Sequence, residues 1–182
     1  MLKVNEIFYS IQGESSRAGW PCVFVRLTGC NLRCTYCDTD YAFYDGTEYS
    51  CEAIVEKVRS FGCNLVEITG GEPLLQEDVY PLMETLCDLG YEVLLETGGH
   101  IVANRVDTRV RKIIDMKAPS SGMMAHNAYR NLELATTEAS KGRAMTEIKF
   151  ILSSRPDYDW AKDVIEKYGL TGKIEVLMSA AF

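Results

Sequence analysis

Cys30, Cys34 and Cys37 stand in a CxxxCxxC run directly after an apolar, strand-like segment. Thiolates hold iron–sulfur clusters, and an electron-transfer [4Fe–4S] centre takes four of them. Three close thiolates with no fourth nearby leave one iron open to a small molecule, which describes a reactive centre rather than an electron wire. A structural zinc site wants four ligands, usually in two pairs. Here Cys22, Cys51, Cys63 and Cys87 are scattered singly, and His100 and His126 are distant in sequence. The four lone cysteines read as small core residues. Seven cysteines, an odd count, in a chain long enough for its own core also argue against a disulfide framework.

Other residues could share a site with these thiols. Gly70 and Gly71, followed by Glu72 and Pro73, make either a plain tight turn or a place where backbone approaches a ligand. In the second case Glu72 could pair with an ammonium group. Tyr36 reads as core or as a stacking platform for an aromatic base. Arg26 interrupts the apolar run 23–27, so it either points to solvent or pairs with a buried anion; its planar fork suits a carboxylate.

These residues must be positioned by a scaffold, and the pattern of apolar residues supplies one. Strands are predicted at 23–27, 64–68, 91–96, 112–116, 147–152 and 173–178. Helices are predicted from Ser50 to Gly62, over 77–89 with Val79, Leu82, Met83, Leu86 and Leu89 inward, over about 128–139, and over 157–168. Alternating strands and helices imply right-handed crossovers and a parallel α/β sheet. Six strands are too few for a closed eight-stranded barrel, so an open, partial (β/α)6-type barrel is expected. The polar and glycine-rich stretches 28–30, 69–73, 96–99 and 115–122 all follow strands. Parallel sheets place sites at the carboxyl ends of their strands, which puts four such loops on one rim.

The composition fits a single cytoplasmic domain spanning residues 1–182, able to bury about 70% of its unfolded surface. A net charge of −7, from 19 basic and 26 acidic residues, leaves no electrostatic footprint for nucleic acid. No apolar run reaches membrane-spanning length, and the seven cysteines favour a reducing compartment.

With the cysteine motif carrying an aromatic at Tyr36 and a GGEP loop at 70–73, the sequence resembles the radical S-adenosylmethionine (SAM) superfamily. Residues 10–14, 24–30 and 37–39, with the small size, make it most similar to the 7-carboxy-7-deazaguanine synthase family of queuosine biosynthesis. That resemblance implies a [4Fe–4S] cluster on Cys30, Cys34 and Cys37, with the open iron chelating the amino and carboxylate groups of SAM. It implies a SAM site at Tyr36, Cys37, Asp38, Gly71, Glu72, Asp115, Met116 and Lys117. It places Ile11, Gln12, Gly13, Glu14 and Thr69 on a pterin substrate, Arg26 on the substrate carboxylate, and Thr39 on Mg²⁺ with substrate oxygens and water. Glu96 faces this region without an assigned role.

The implied reaction converts 6-carboxy-5,6,7,8-tetrahydropterin to 7-carboxy-7-deazaguanine with release of ammonia, through a 5′-deoxyadenosyl radical drawn from SAM, which is regenerated. A homodimer and an external one-electron donor such as a flavodoxin are implied as partners. The family continues past the last predicted strand with an aromatic, histidine-containing tail that reaches substrate; a domain lacking that tail is expected, with no such histidine assigned. Ser15 and Ser16 stand where the family commonly has a glycine. Two other functions compete: an activase acting on a glycyl radical enzyme, which needs neither Arg26 nor Thr39 in these roles, and a small iron–sulfur electron carrier.

Overall fold

The computed structural model describes residues 1–143 and 145–181. Its eight strands are β1 (Leu2–Ile11), β2 (Pro21–Leu27), β3 (Thr47–Tyr49), β4 (Leu65–Gly70), β5 (Glu92–Thr97), β6 (Arg111–Met116), β7 (Thr146–Leu152) and β8 (Glu175–Ala180). They form one sheet in the order β3-β1-β2-β4-β5-β6-β7-β8. The six predicted strands are its parallel stretch, β2 through β8 without β3. The sheet is an open α/β barrel segment, because its edge strands β3 and β8 do not pair.

Two antiparallel strands, β1 and β3, extend the sheet beyond the predicted six. β1 lacks a clean alternation: Leu2 and Val4 are buried, the register shifts between Val4 and Glu6, and the later residues are half-buried or exposed. A bulge of this kind resets which face each side chain takes, so period-two reading misses the strand.

Helices α1 (Cys51–Ser60), α2 (Val79–Asp88), α3 (Arg130–Ser140) and α4 (Arg155–Tyr168) lie where helical spacing puts them. Ser50 caps α1 by accepting from the Ala53 amide, and Ser154 caps α4 by accepting from Asp157, each satisfying an otherwise orphaned donor. One expectation is corrected. Leu89, predicted inward, is 48% exposed, because α2 ends at Asp88 and Gly90, at φ 86°, turns the chain before Leu89 can reach the core.

The helix-facing core joins Val66 and Ile68 of β4, Val93 and Leu95 of β5, and Ile148 and Phe150 of β7 to Ile54, Leu82, Met83 and Val164 of the helices. Cys22 is buried, and Cys51, Cys63 and Cys87 pack partly buried against apolar neighbours, as small core residues do. On the opposite, concave face each strand presents its alternate residues. A small apolar layer of Cys22, Phe24, Leu65, Leu94 and Ile113 comes first. The next positions along the same strands are polar: Arg26, Glu67, Thr69, Glu96 and Asp115.

The segment after β1 crosses this concave face as a strap. Gln12 donates to Glu67 and the Ser16 hydroxyl to Glu147, while the Ser16 amide donates to Glu147 Oε2 at 3.0 Å. Glu14 Oε2 meets Lys149 Nζ at 2.7 Å, and Arg17 Nε donates to Glu92 at 2.7 Å. The crossing bends at Ser15, whose φ of 63° is left-handed. A glycine would take that conformation without a Cβ penalty of about 1–2 kcal/mol.

Candidate active site

A cavity of about 640 Å³ opens at the carboxyl ends of the parallel strands and is walled by all four of the loops that the sequence singles out. A larger groove of about 870 Å³ lies at the opposite, amino ends, between Arg111, Glu147, Lys173 and Glu175. It holds none of the predicted site residues, so the chemistry belongs to the carboxyl-end cavity.

The cysteine loop is tied into this rim from two sides. The Gly29 carbonyl accepts from the Glu72 amide at 2.8 Å, and the Gly29 amide donates to Ala42 at 2.9 Å. Thr35 donates through its amide to Ser121 at 3.1 Å and through its hydroxyl to Ser120 at 2.6 Å. Arg33 folds back onto the Cys30 and Leu32 carbonyls and lies 4.2 Å over the Phe43 ring. Cys30, Cys34 and Cys37 are half-buried free thiols that all line the cavity. Burial pushes the Cys30 and Cys34 thiols above their ordinary range, so a metal centre assembling here displaces their protons.

Among the described residues no three His, Cys, Asp or Glu side chains converge tightly enough to hold a single ion. The donor set is soft and entirely thiol, and the cavity has room for a cluster with a nucleoside-sized ligand beside it. Tyr36 adds a buried hydroxyl that, among the described residues, makes no hydrogen bond of good geometry, a donor with spare capacity inside the same wall.

Gln12, Gly13, Glu14, Arg26, Tyr36, Asp38, Thr39, Thr69, Gly71, Asp115 and Lys117 line the cavity with the thiols. Three other residues singled out from the sequence do not. Ile11 is 66% exposed on β1, and Met116 is fully buried in the core. Glu72 is fully buried behind the wall, where it accepts from the Leu74 and Gly98 amides at 2.9 Å and the Thr97 hydroxyl at 2.8 Å. Its carboxylate holds two loops together from behind the cavity wall.

Arg26 faces the cavity rather than bulk solvent. Its side chain is 16% exposed, its Nε donates to Glu6 Oε1 at 2.8 Å, and it sits between the Phe8 and Tyr41 rings. Thr39 donates to Asp38 Oδ1 at 2.7 Å, so two hard oxygens stand together on the rim.

Two cavity residues escaped the sequence reading, Glu67 and Lys149. Each is a charge at an alternate position of an otherwise apolar strand, the same signal that marks Arg26. Glu67 is almost fully buried; burial first, then the neighbouring Glu96 carboxylate, raises its pKa well above the carboxylate range. Lys149 is charged: burial opposes it, but Asp115, Glu96 and Glu14 hold its pKa well above that of ordinary lysine. Lys117, 2.5 Å from Asp115 Oδ2, behaves alike, and the two ammonium groups keep Asp115 ionised despite its burial.

His100 braces the rim from behind. Its Nε2 stands 2.6 Å from Asn31 Oδ1, an acceptor-only oxygen that requires the proton on Nε2. Burial, then the charges of Lys117 and His126, lower its pKa to about 4. Between about pH 6.5 and 4 the unfolded chain therefore binds a proton that the folded chain refuses, so the His100 contribution to stability is lost on acidification. Glu67 and Glu72, with raised pKa values, act in the opposite sense. The difference isolates His100: wild type should lose about 3 kcal/mol relative to His100→Gln between pH 7 and pH 4 in urea titrations. A difference that stays level with pH would place a charged imidazole in the fold.

A model of the radical SAM superfamily matches residues 24–173. The chain is 50% identical to a 7-carboxy-7-deazaguanine synthase from Chlorobaculum tepidum, across 100% of this chain and 80% of that protein. It is 44% identical to one from Koribacter versatilis, across 100% and 78%. Among solved structures, QueE from Escherichia coli superposes with a TM-score of 0.77 at 24% identity, covering 98% of this chain and 84% of that one. Streptococcus suis SuiB bound to S-adenosylmethionine shares the fold at a TM-score of 0.60 and 15% identity, covering 85% and 37%.

Proposed function

Because this chain belongs to the radical SAM superfamily and, within it, to the 7-carboxy-7-deazaguanine synthases, we propose that its cavity converts 6-carboxy-5,6,7,8-tetrahydropterin to 7-carboxy-7-deazaguanine and ammonia. The observation that carries this reading is convergence. Three thiols, a carboxylate-seeking arginine and the strap residues Gln12 to Glu14 come from separate parts of the chain and meet in one cavity.

Cys30, Cys34 and Cys37 would hold the [4Fe–4S] cluster, with Tyr36, Cys37, Asp38, Gly71, Asp115 and Lys117 lining the SAM site beside it. When bound, cluster and SAM together supply a hydrogen-abstracting 5′-deoxyadenosyl radical. This chain's residues orient and enclose. Arg26 has its Nε committed to Glu6, leaving its terminal nitrogens for the substrate carboxylate. Thr69 and Gln12 present hydrogen-bonding groups to the ring, and Glu14 is held at the cavity by Lys149. Ile11 toward the substrate and Met116 toward SAM would contribute through their backbones, and Glu72 lies behind the wall of the SAM site. Thr39, with the adjacent Asp38 oxygen, is our proposed seat for Mg²⁺, which prefers hard donors.

The electron must come from outside the chain, and a flavodoxin is the proposed donor. Assembly as a homodimer in the cytoplasm completes the reading. The seven free thiols fit a reducing compartment.

The test is anaerobic reconstitution with iron and sulfide, then addition of reductant, SAM, Mg²⁺ and the pterin. Equimolar deazaguanine product and ammonia should form with SAM conserved over many turnovers. SAM consumed one for one without a pterin-derived product would refute the reading, as would a requirement for a protein substrate. Within it, Arg26→Ala should weaken pterin binding about 30-fold, the equivalent of ~2 kcal/mol for a lost charge-assisted contact, while SAM affinity holds. Unchanged pterin affinity would remove Arg26 from this role.

A further inference from the structure

Lys149 stands at the centre of the concave face with its side chain 5% exposed. Its ammonium is 2.7 Å from Glu14 on the strap and 3.4 Å from Asp115 Oδ1 at the end of β6, and it pairs directly with Glu96 at the end of β5. Among the described residues, Glu14 and Glu96 have no other ion-pair partner, and Asp115 Oδ1 has no hydrogen-bond donor. Asp115 in turn holds Lys117 at 2.5 Å. One buried cation thus gathers carboxylates from three elements: Glu14 on the side proposed for the pterin, Asp115 on the side proposed for SAM, and Glu96 in the wall of the same cavity.

We infer that Lys149 is a positioning residue that couples the two halves of the cavity, holding Glu14 toward the pterin and Asp115, with Lys117, toward SAM, with Glu96 fixing it in the wall between strap and β6. The inference rests on the substrate and cofactor sites proposed above. The physical reason is charge balance in a low-dielectric site. Asp115 is buried and Glu96 partly buried, while Glu14 is 48% exposed on the strap; the two inner carboxylates above all need a central cation, because unpaired buried charge either repels, takes up protons or reaches for water. With Lys149 gone, the strap and the β5 and β6 ends lose the one group that all three touch. Both ligands should then feel the loss, although Lys149 sits between their sites.

The experiment compares wild type, Lys149→Met and Lys149→Arg as anaerobically reconstituted enzymes, measuring equilibrium dissociation constants for SAM and for the pterin, iron content and melting temperature. Lys149→Met should bind each ligand at least about tenfold more weakly, ~1.4 kcal/mol for each, with Lys149→Arg recovering most of both affinities. A folded, iron-loaded Lys149→Met enzyme that melts lower yet binds both ligands like wild type would reduce Lys149 to a structural ion pair and overturn the inference. So would weakening confined to one ligand.

If Lys149→Met fails to fold, the double variant Lys149→Met/Glu96→Gln removes one positive and one negative charge together and is measured in its place, with the same tenfold criterion. If wild type itself binds no pterin, the proposed reaction fails on its own account. The SAM titration alone then decides: tenfold weaker SAM binding in Lys149→Met sustains the positioning role, and unchanged binding overturns it.

Discussion

Replacing Cys30, Cys34 or Cys37 singly with alanine is expected to abolish SAM cleavage and product formation, by roughly a thousandfold or more, since an iron left without its protein thiolate destabilises the whole cluster. The three thiols line the cavity, whereas Cys22, Cys51, Cys63 and Cys87 pack into or against apolar surroundings. Cys87→Ala therefore serves as the control, keeping its iron and its turnover. Iron and sulfide per chain, with electron paramagnetic resonance of the reduced protein, separate loss of the cluster from loss of fold. A Cys34→Ala enzyme with full iron content and undiminished SAM cleavage would break the assignment of the ligands. The loop itself should largely survive these changes, because its shorter anchors run through the Gly29 and Thr35 backbone and the Arg33 side chain, and cysteine sulfur accepts only the Leu32 amide at 3.4 Å.

Gly71→Ala should damage both stability and the site. A Cβ at Gly71 would collide with the Gly29 carbonyl, meeting its carbon at 2.7 Å and the Cys30 Cβ at 2.8 Å. These obstacles are backbone and a short side chain, and the Glu72 amide to Gly29 bond of 2.8 Å locks them in place. Neither can swing aside as the end of a lysine would. The expected cost is about 3 kcal/mol, the upper range for an overpacked, backbone-limited position, and Cys30 should be displaced with it. Gly13→Ala, whose Cβ would meet nothing within 4 Å, is the matched stability control. Urea unfolding of the two variants, with iron content after reconstitution, measures both effects. A Gly71→Ala protein of wild-type stability and iron loading would show that the two loops are not in rigid contact.

The GGEP loop and the cysteine loop are therefore one mechanical unit. Glu72 belongs to it as a brace: its carboxylate spans the Leu74 amide, the Thr97 hydroxyl and the Gly98 amide. A residue placed in a ligand-binding motif by its position in the chain can thus serve by shaping the wall from behind. Met116 makes the same point, since it follows Asp115 and precedes Lys117 on the rim yet points into the core. Strand alternation sends every second side chain of such a motif away from the ligand.

Much of this protein could be read from its residues in order. The six parallel strands, the four helices and the rim of polar loops follow from apolar spacing and from capping residues, which act within a turn or two of chain. The cysteine spacing is equally local. What the chain order could not reveal is the strap and the charge cluster beneath the cavity. Glu14 and Lys149, Gln12 and Glu67, and Ser16 and Glu147 are far apart in sequence, and their pairing appears only when the sheet curls and brings them together. Burial then decides their chemistry, because the protonation of Glu67 and the charge of Lys149 depend on solvent excluded by elements contributed from the whole length of the chain.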